Sequence, residues 1–114
     1  MTLTIWHNPR CTKSRQTLAL LEARGLTPEI RRYLDAPPTE AEIRAALKAL
    51  GLPAISLLRS KESLFSDLGL TTDSSDETLI AAMAAHPRLI ERPLVLHGDR
   101  AALGRPPESV LAIL

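Results

Sequence analysis

The chain carries a single cysteine, Cys11, among its 114 residues. It can form no internal disulfide, so any covalent redox step has to recruit a second molecule. Aromatic residues make up only 3% of the sequence, which leaves Leu, Ile, Val and Ala to fill the core. Net charge is +1, too near zero to argue for a nucleic-acid partner. No apolar run approaches the roughly 20 residues that span a bilayer, so no membrane partner is expected. The opening Thr2-Leu3-Thr4-Ile5-Trp6 has no basic leader and does not read as a secretory signal. A free thiol without an export signal predicts a reducing, cytoplasmic setting. Three scattered histidines, His7, His86 and His97, show no metal-ligand spacing with the cysteine. Neither a metal nor a bound cofactor is expected.

What is present suits one domain over residues 1–114, with an ordinary hydrophobic content of 45%. Thr2 to Trp6 alternates polar and apolar residues and reads as a strand. Thr12 to Arg24 reads as a helix with Leu18 and Leu21 inward and Leu20 beside them, closed by Gly25. Pro28 to Leu34 is a second strand candidate. Thr39-Glu40-Ala41-Glu42 is a capping box opening a helix that buries Ile43, Ala46, Leu47 and Leu50 and ends at Gly51. Ile55–Leu58 and Leu64–Leu68 read as short helical pieces. Thr71 to Asp76 is a polar loop before a helix from about Ser75 to His86, with Leu79, Ile80 and Met83 inward. Pro93 to Leu96 and Ala101 to Leu103 form a hairpin around His97-Gly98-Asp99-Arg100. Pro106-Pro107 starts a last helix burying Val110, Leu111 and Leu114. This order predicts an α/β fold with a mixed sheet flanked by helices, and a helical insertion at about 39–87.

Cys11 lies where the first strand hands over to the first helix. Unpaired amides and the positive end of the helix dipole favour a thiolate there, and Arg10, Lys13 and Arg15 add charge. The plainer fate of a free cysteine is a small buried hydrophobe, and the residues alone leave both readings open. Ser14 stands three residues on, where dithiol redox proteins carry a second cysteine. Its hydroxyl could donate to the thiolate or help cap the helix. A protonated His7 would favour the thiolate, whereas a neutral one would merely bond the backbone. His86 and His97 read as surface residues. Asp73, Asp76 and Glu77 read as loop solvation and favourable charge at a helix start.

The run Ile5-Trp6-His7-Asn8-Pro9-Arg10-Cys11 with Ser14-Arg15 resembles the active-site segment of the glutaredoxin-linked arsenate reductase family. Leu57-Leu58-Arg59, Glu91-Arg92-Pro93-Leu94-Val95 and Gly104-Arg105-Pro106 resemble later stretches of that family, in the same order. The resemblance implies a thioredoxin-like fold with a helical insertion. It implies Cys11 as nucleophile, Arg59, Arg92 and Arg105 as oxyanion ligands, and Pro93 at a cis-proline position. His7, Ser14 and Arg15 would support the cysteine. The implied partners are arsenate or a similar oxyanion, glutathione as co-substrate, and glutaredoxin. The working expectation is a monomer. Arginine suits a tetrahedral dianion because its donors form a fixed fork that stays charged. The plainer reading of any one arginine is a solvated charge. Arg92 and Arg105 rise above it because each abuts a proline at an element edge, while Arg59 leans on the family match.

Other readings compete. An arginine six residues after the cysteine would signal a phosphatase-type anion cradle, but that position is Thr17. A glutathione-dependent thiol oxidoreductase with another substrate would use the same fold and cysteine. A single-thiol regulator that binds RNA polymerase is a third reading, weakened by Ser14 because it removes a Cys-x-x-Cys switch.

Overall fold

Residues 2–114 are described by a computed structural model. They divide into two units, residues up to Ala36 with Arg92–Leu114, and Pro37–Glu91.

The first unit is built on a four-stranded sheet. Its strands are β1 (Leu3–Trp6), β2 (Glu29–Arg31), β3 (Leu94–His97) and β4 (Arg100–Leu103), in the order β2-β1-β3-β4. The β1 and β2 strands run parallel with Ile5 opposite Ile30. A parallel pair needs a crossover, which helix α1 (Thr12–Ala23) supplies. The β3 strand runs antiparallel to β1, with Ile5 opposite Val95, and β4 returns antiparallel to β3. The mixed α/β sheet expected from the sequence is therefore present. The hairpin turns at Gly98-Asp99, where Gly98 sits at φ +63°, as the first central position of a II′ turn requires.

Ile5, Leu21, Val95, Val110 and Ile113 form the buried centre of this unit. Trp6 is buried too, so the polar–apolar alternation of β1 gives way to a strand end covered on both faces. Fully burying a side chain such as Ile5 or Val95 stabilises by about 1.5–3 kcal/mol.

Several elements of the first unit differ from the sequence reading. The second strand shrinks to Glu29–Arg31 because it pairs with β1 alone, and Asp35 and Ala36 N–H then turn back onto Arg32 O at 2.9 Å. The inward stripe of α1 is Ser14, Thr17 and Leu21, while Leu18 and Leu20 are only partly buried. Two hydroxyls occupy that stripe because each finds a bond locally. Thr17 Oγ1 donates to Lys13 O at 2.8 Å, and Ser14 is bonded as described below. The last segment, Pro107–Ile113, is a 3₁₀ helix burying Pro107, Val110 and Ile113. At three residues per turn these positions share one face. Leu111 is therefore only half-buried and Leu114 is exposed, against the α-helical spacing expected.

The second unit is helical. Helix α2 (Glu40–Leu50) opens with the expected capping box, in which Glu42 N–H donates to Thr39 Oγ1 at 3.1 Å and Thr39 N–H to Glu42 Oε1 at 3.0 Å. It ends at Gly51 in the left-handed region, φ +69°. Ile43, Ala46 and Leu47 are buried, whereas Leu50, one position round the helix, is half-buried. Helix α3 spans Ser63–Asp67, and α4 spans Asp76–Ala85 with Ser75 Oγ accepting from Thr78 N–H at 3.2 Å. Leu79, Ile80 and Met83 face inward as expected. Short 3₁₀ turns cover Ala54–Leu57 and Pro87–Leu89. Asp76 and Glu77 do more than solvate a loop. Asp76 Oδ1 accepts from Ala54 N–H at 3.3 Å, and Glu77 pairs bidentately with Arg44 at 2.7 and 2.6 Å, tying α4 to α2. Among the described residues no helix is long and apolar enough to cross a membrane.

Candidate active site

The chain leaves β1 through a short loop that ends at Cys11. His7 N–H donates to Arg31 O at 2.8 Å and Cys11 N–H to Asn8 O at 3.0 Å. Arg10 N–H donates to Asn8 Oδ1 at 3.0 Å. These bonds place Cys11 at the N-cap of α1 in extended conformation, φ −91° and ψ 123°. Its carbonyl accepts the first helical bond from Arg15 N–H at 3.0 Å. The thiol is free and 8% exposed.

Burial is the strongest single influence on this thiol and pushes its pKa up. It is outweighed, in order, by the Ser14 backbone N–H, the charge and donor group of Arg92, and the Lys13 backbone N–H, so the net shift is downward. The first-turn amides of α1 have no helical acceptors, and a sulfur at the cap is where they can bond. These neighbours favour the thiolate form of Cys11.

Two arginines reach the thiol from one hairpin. In the β3–β4 register Leu94 lies opposite Leu103, so continuing the ladder outward by two residues sets Arg92 opposite Arg105. Gly104 N–H donates to Pro93 O at 2.9 Å and extends the ladder in that direction. Arg105 Nε donates to Arg92 O at 2.7 Å, and its Nη2 lies 3.7 Å from Cys11 Sγ. Because Trp6 pairs with Leu94, the hairpin's open end and the end of β1 share one sheet edge. Arg92 is half-buried, with Nε and Nη1 shielded from water. The Arg92–Pro93 and Arg105–Pro106 peptides are both cis.

Ser14 and His7 form a buried pair behind the cap. Ser14 Oγ accepts from Asn8 N–H at 3.0 Å and lies 2.7 Å from His7 Nδ1. Burial first, then the charges of Arg32 and Arg15, hold the His7 pKa below its usual value, with Glu22 opposing weakly. Both influences act against a charged imidazole at His7. Of the two forms the sequence leaves open, these surroundings disfavour the imidazolium, because a cation would be desolvated here and face two arginines. Arg15 shapes the loop, donating from Nη1 to Pro9 O at 2.9 Å and from Nη2 to Thr12 Oγ1 at 3.3 Å.

Arg59 belongs to the helical unit, where its Nη1 lies 3.1 Å from Glu62 Oε2. His97, expected at the surface, is half-buried, and its Nδ1 donates to Ile113 O at 2.7 Å. Among the described residues no group of three or more His, Cys, Asp or Glu side chains could hold a metal ion.

Two site-shaping residues escape sequence reasoning. A Cβ built on Gly104 would collide with Thr17 Oγ1 and lie 2.7 Å from Pro93 Cγ and 3.1 Å from Thr17 Cγ2. The bare glycine lets α1, the start of β3 and the end of β4 meet. Its only sequence signal is its place before Arg105-Pro106. Thr17 carries none, because a threonine in mid-helix ordinarily faces water.

Residues 6–113 match the ArsC family. This chain belongs to the ArsC family. It is 49% identical over 112 residues to the uncharacterized protein YfgD of Escherichia coli (strain K12), covering 96% of this chain and 94% of that protein. It is 46% identical over 114 residues to the arsenate reductase of Neisseria meningitidis serogroup B (strain ATCC BAA-335 / MC58), covering 98% and 97%. The solved structure of an arsenate reductase from Vibrio cholerae superposes with a TM-score of 0.96 at 47% identity, covering 100% of this chain and 98% of that one. The ArsC fold here is thioredoxin-like, a mixed four-stranded sheet with flanking helices. In this ArsC chain the sheet edge brings together Cys11, Arg92, Arg105 and the α1 amides.

Proposed function

We propose that this chain is an arsenate reductase in which Cys11 is the sole nucleophile and glutathione with glutaredoxin supplies the electrons. The observation that carries the reading is the Cys11 thiol at the N-terminus of α1, with Arg105 Nη2 3.7 Å from its sulfur and the Arg92 charge acting on it. An anion approaching that sulfur meets two guanidinium groups and the first-turn amides together. The relatives named arsenate reductase support the substrate.

Cys11 Sγ⁻ attacks arsenic(V), an As–S bond forms, and one oxygen leaves as water after protonation. Glutathione thiolate attacks the same arsenic and expels a second oxygen as water. A glutaredoxin thiolate then attacks the glutathione sulfur. An S–S bond forms, the As–S bond to glutathione breaks, and its electron pair stays on arsenic, now arsenic(III). Water cleaves the remaining As–S bond, releasing arsenite and the Cys11 thiol. Two thiols become one disulfide, matching the two electrons gained by arsenic. The absence of a second cysteine agrees with external resolution.

Within this reading Arg92 and Arg105 hold the oxyanion and Arg59 is the third ligand, as the family resemblance implies. A hydrogen bond to a charged group contributes about 1.5–3 kcal/mol, so Arg92→Ala or Arg105→Ala raises KM for arsenate by about 10- to 100-fold. The direct test is arsenite formation by purified protein with glutathione and glutaredoxin. Turnover that survives Cys11→Ser removes the nucleophile. A wild-type protein that forms no arsenite removes the substrate and leaves disulfide exchange or polymerase binding to be measured instead.

A further inference from the structure

We infer that Glu62 and Arg88 are positioning residues that set how much of the Arg59 charge is free for the oxyanion. The inference rests on the proposed role of Arg59 and concerns only the helical unit. Glu62 precedes α3, yet its carboxylate makes no cap bond to that helix. It turns to two arginines instead. Glu62 Oε2 lies 3.1 Å from Arg59 Nη1, and Glu62 Oε1 lies 3.7 Å from Arg88 Nη2. One carboxylate thus divides its two oxygens between two cations.

The backbone fixes this arrangement. Arg59 N–H donates to Leu89 O at 2.8 Å, and Glu62 N–H donates to Arg59 O at 3.0 Å. Glu91 N–H donates to Leu57 O, and Leu58 bridges Ile90 in antiparallel fashion. Arg59 Nη1 also approaches Arg88 O at 3.5 Å. The segments carrying the three side chains are therefore pinned on both sides of the cluster. Arg59 and Glu62 keep 29% and 23% of their side-chain surface exposed, whereas Arg88 keeps 56%. The more shielded pair feels the stronger field, and Arg88 is the adjustable outer member.

Charge counting gives the direction of the effect. Two arginines and one glutamate leave the cluster with one net positive charge. With Arg88 present, Glu62 is shared and Arg59 retains attraction for an anion. Without Arg88, the whole carboxylate charge falls on Arg59, and an oxyanion has to compete with Glu62 for the same guanidinium. Arg88 then promotes oxyanion binding although it is assigned no contact with the anion. Glu62 orients the Arg59 fork and moderates its charge.

The test is a double-mutant cycle on the full chain, with KM for arsenate and arsenate protection of Cys11 against alkylation as two readouts. Arg88→Ala is expected to raise KM by about 3- to 10-fold, in line with the loss of one shared charged contact, with kcat changing less. Glu62→Gln added to Arg88→Ala is expected to bring KM back toward the wild-type value, because the competitor for Arg59 is gone. A purely structural cluster would instead make the two losses add. Circular dichroism and thermal melting of each variant separate misfolding from this effect. Arg88→Ala with wild-type KM, or a double variant worse than both singles, overturns the inference. Arg59→Ala is the separating control. If Arg59→Ala raises KM while Arg88→Ala does not, the inference fails alone. If Arg59→Ala leaves KM unchanged, the assignment of Arg59 to the oxyanion fails and the inference goes with it.

Discussion

Replacing Gly104 with alanine tests how closely the site is packed. Gly104 is buried and is not among the glycines with positive φ, so alanine meets no backbone strain. Space is the constraint. The new Cβ would overlap Thr17 Oγ1 and press on Pro93 Cγ at 2.7 Å and Thr17 Cγ2 at 3.1 Å. Thr17 is fully buried and Pro93 is buried as well, so neither can swing away. Overpacking of this kind costs about 1–3 kcal/mol. Loss of glycine's freedom in the unfolded chain returns about 0.4–1 kcal/mol. The net is a destabilisation of about 1–2 kcal/mol, which for a domain of this size lowers Tm by about 4–8 °C. Function should suffer beyond stability, because Pro93 follows Arg92 and Gly104 precedes Arg105. A shift of either backbone moves a guanidinium away from Cys11. The assay is thermal unfolding together with the rate of Cys11 alkylation at neutral pH, with Gly104→Ala made alone and on a Thr17→Ala background. Thr17→Ala removes both threonine contacts and leaves only Pro93. The double variant should then be more stable than the sum of the singles by roughly 1 kcal/mol or more, the coupling expected of touching residues. A Gly104→Ala protein with raised Tm, or strict additivity in the double variant, would refute the packing argument.

Three further outcomes follow from the site. The alkylation rate of Cys11 should rise with pH through a midpoint below the 8.5 or so of a free thiol, and Arg92→Ala should move that midpoint up, because the Arg92 charge and hydrogen bond both lower it; an unchanged midpoint would remove Arg92 as an influence. Ser14→Ala leaves the Asn8 N–H and His7 Nδ1 without their shared hydroxyl, at a cost of about 1–3 kcal/mol, measurable by urea unfolding. The depressed pKa of His7 makes the unfolded chain the better proton acceptor, so stability attributable to His7 is full above its unfolded pKa of about 6.5 and declines as pH falls below it. A His7→Gln variant should lose part of that pH dependence between about pH 7 and 5, and a Tm profile identical to wild type would contradict it.

Much of the fold was legible because it is written in local signals. The capping box at Thr39 and Glu42, the stop at Gly51, the N-cap at Ser75 and the hairpin around Gly98-Asp99 each rest on a few neighbouring residues. Their side-chain or backbone chemistry is the same in a peptide as in the protein. The last helix is not legible as 3₁₀, because an apolar spacing cannot tell a 3₁₀ turn from an α turn over so short a run. Val110 fits both, and only the packing of Pro107 and Ile113 with it decides for three residues per turn. The inner stripe of α1 is hidden for the opposite reason. Ser14 and Thr17 look like surface positions until the partners that satisfy their hydroxyls are in place.

The site divides in the same way. The sequence by itself determined that one thiol stands at a helix start, that no partner cysteine exists within the chain, and that arginines precede two prolines downstream. Those are statements of identity and near-neighbour spacing. Tertiary structure alone decided that the hairpin register sets Arg92 opposite Arg105, that Arg105 comes within 3.7 Å of a sulfur 94 residues away, and that burial disfavours charge on His7 behind the site. It also decided that Gly104 has no room for a methyl group. Each depends on burial or on the pairing of distant strands, and neither desolvation nor register exists until the chain has folded.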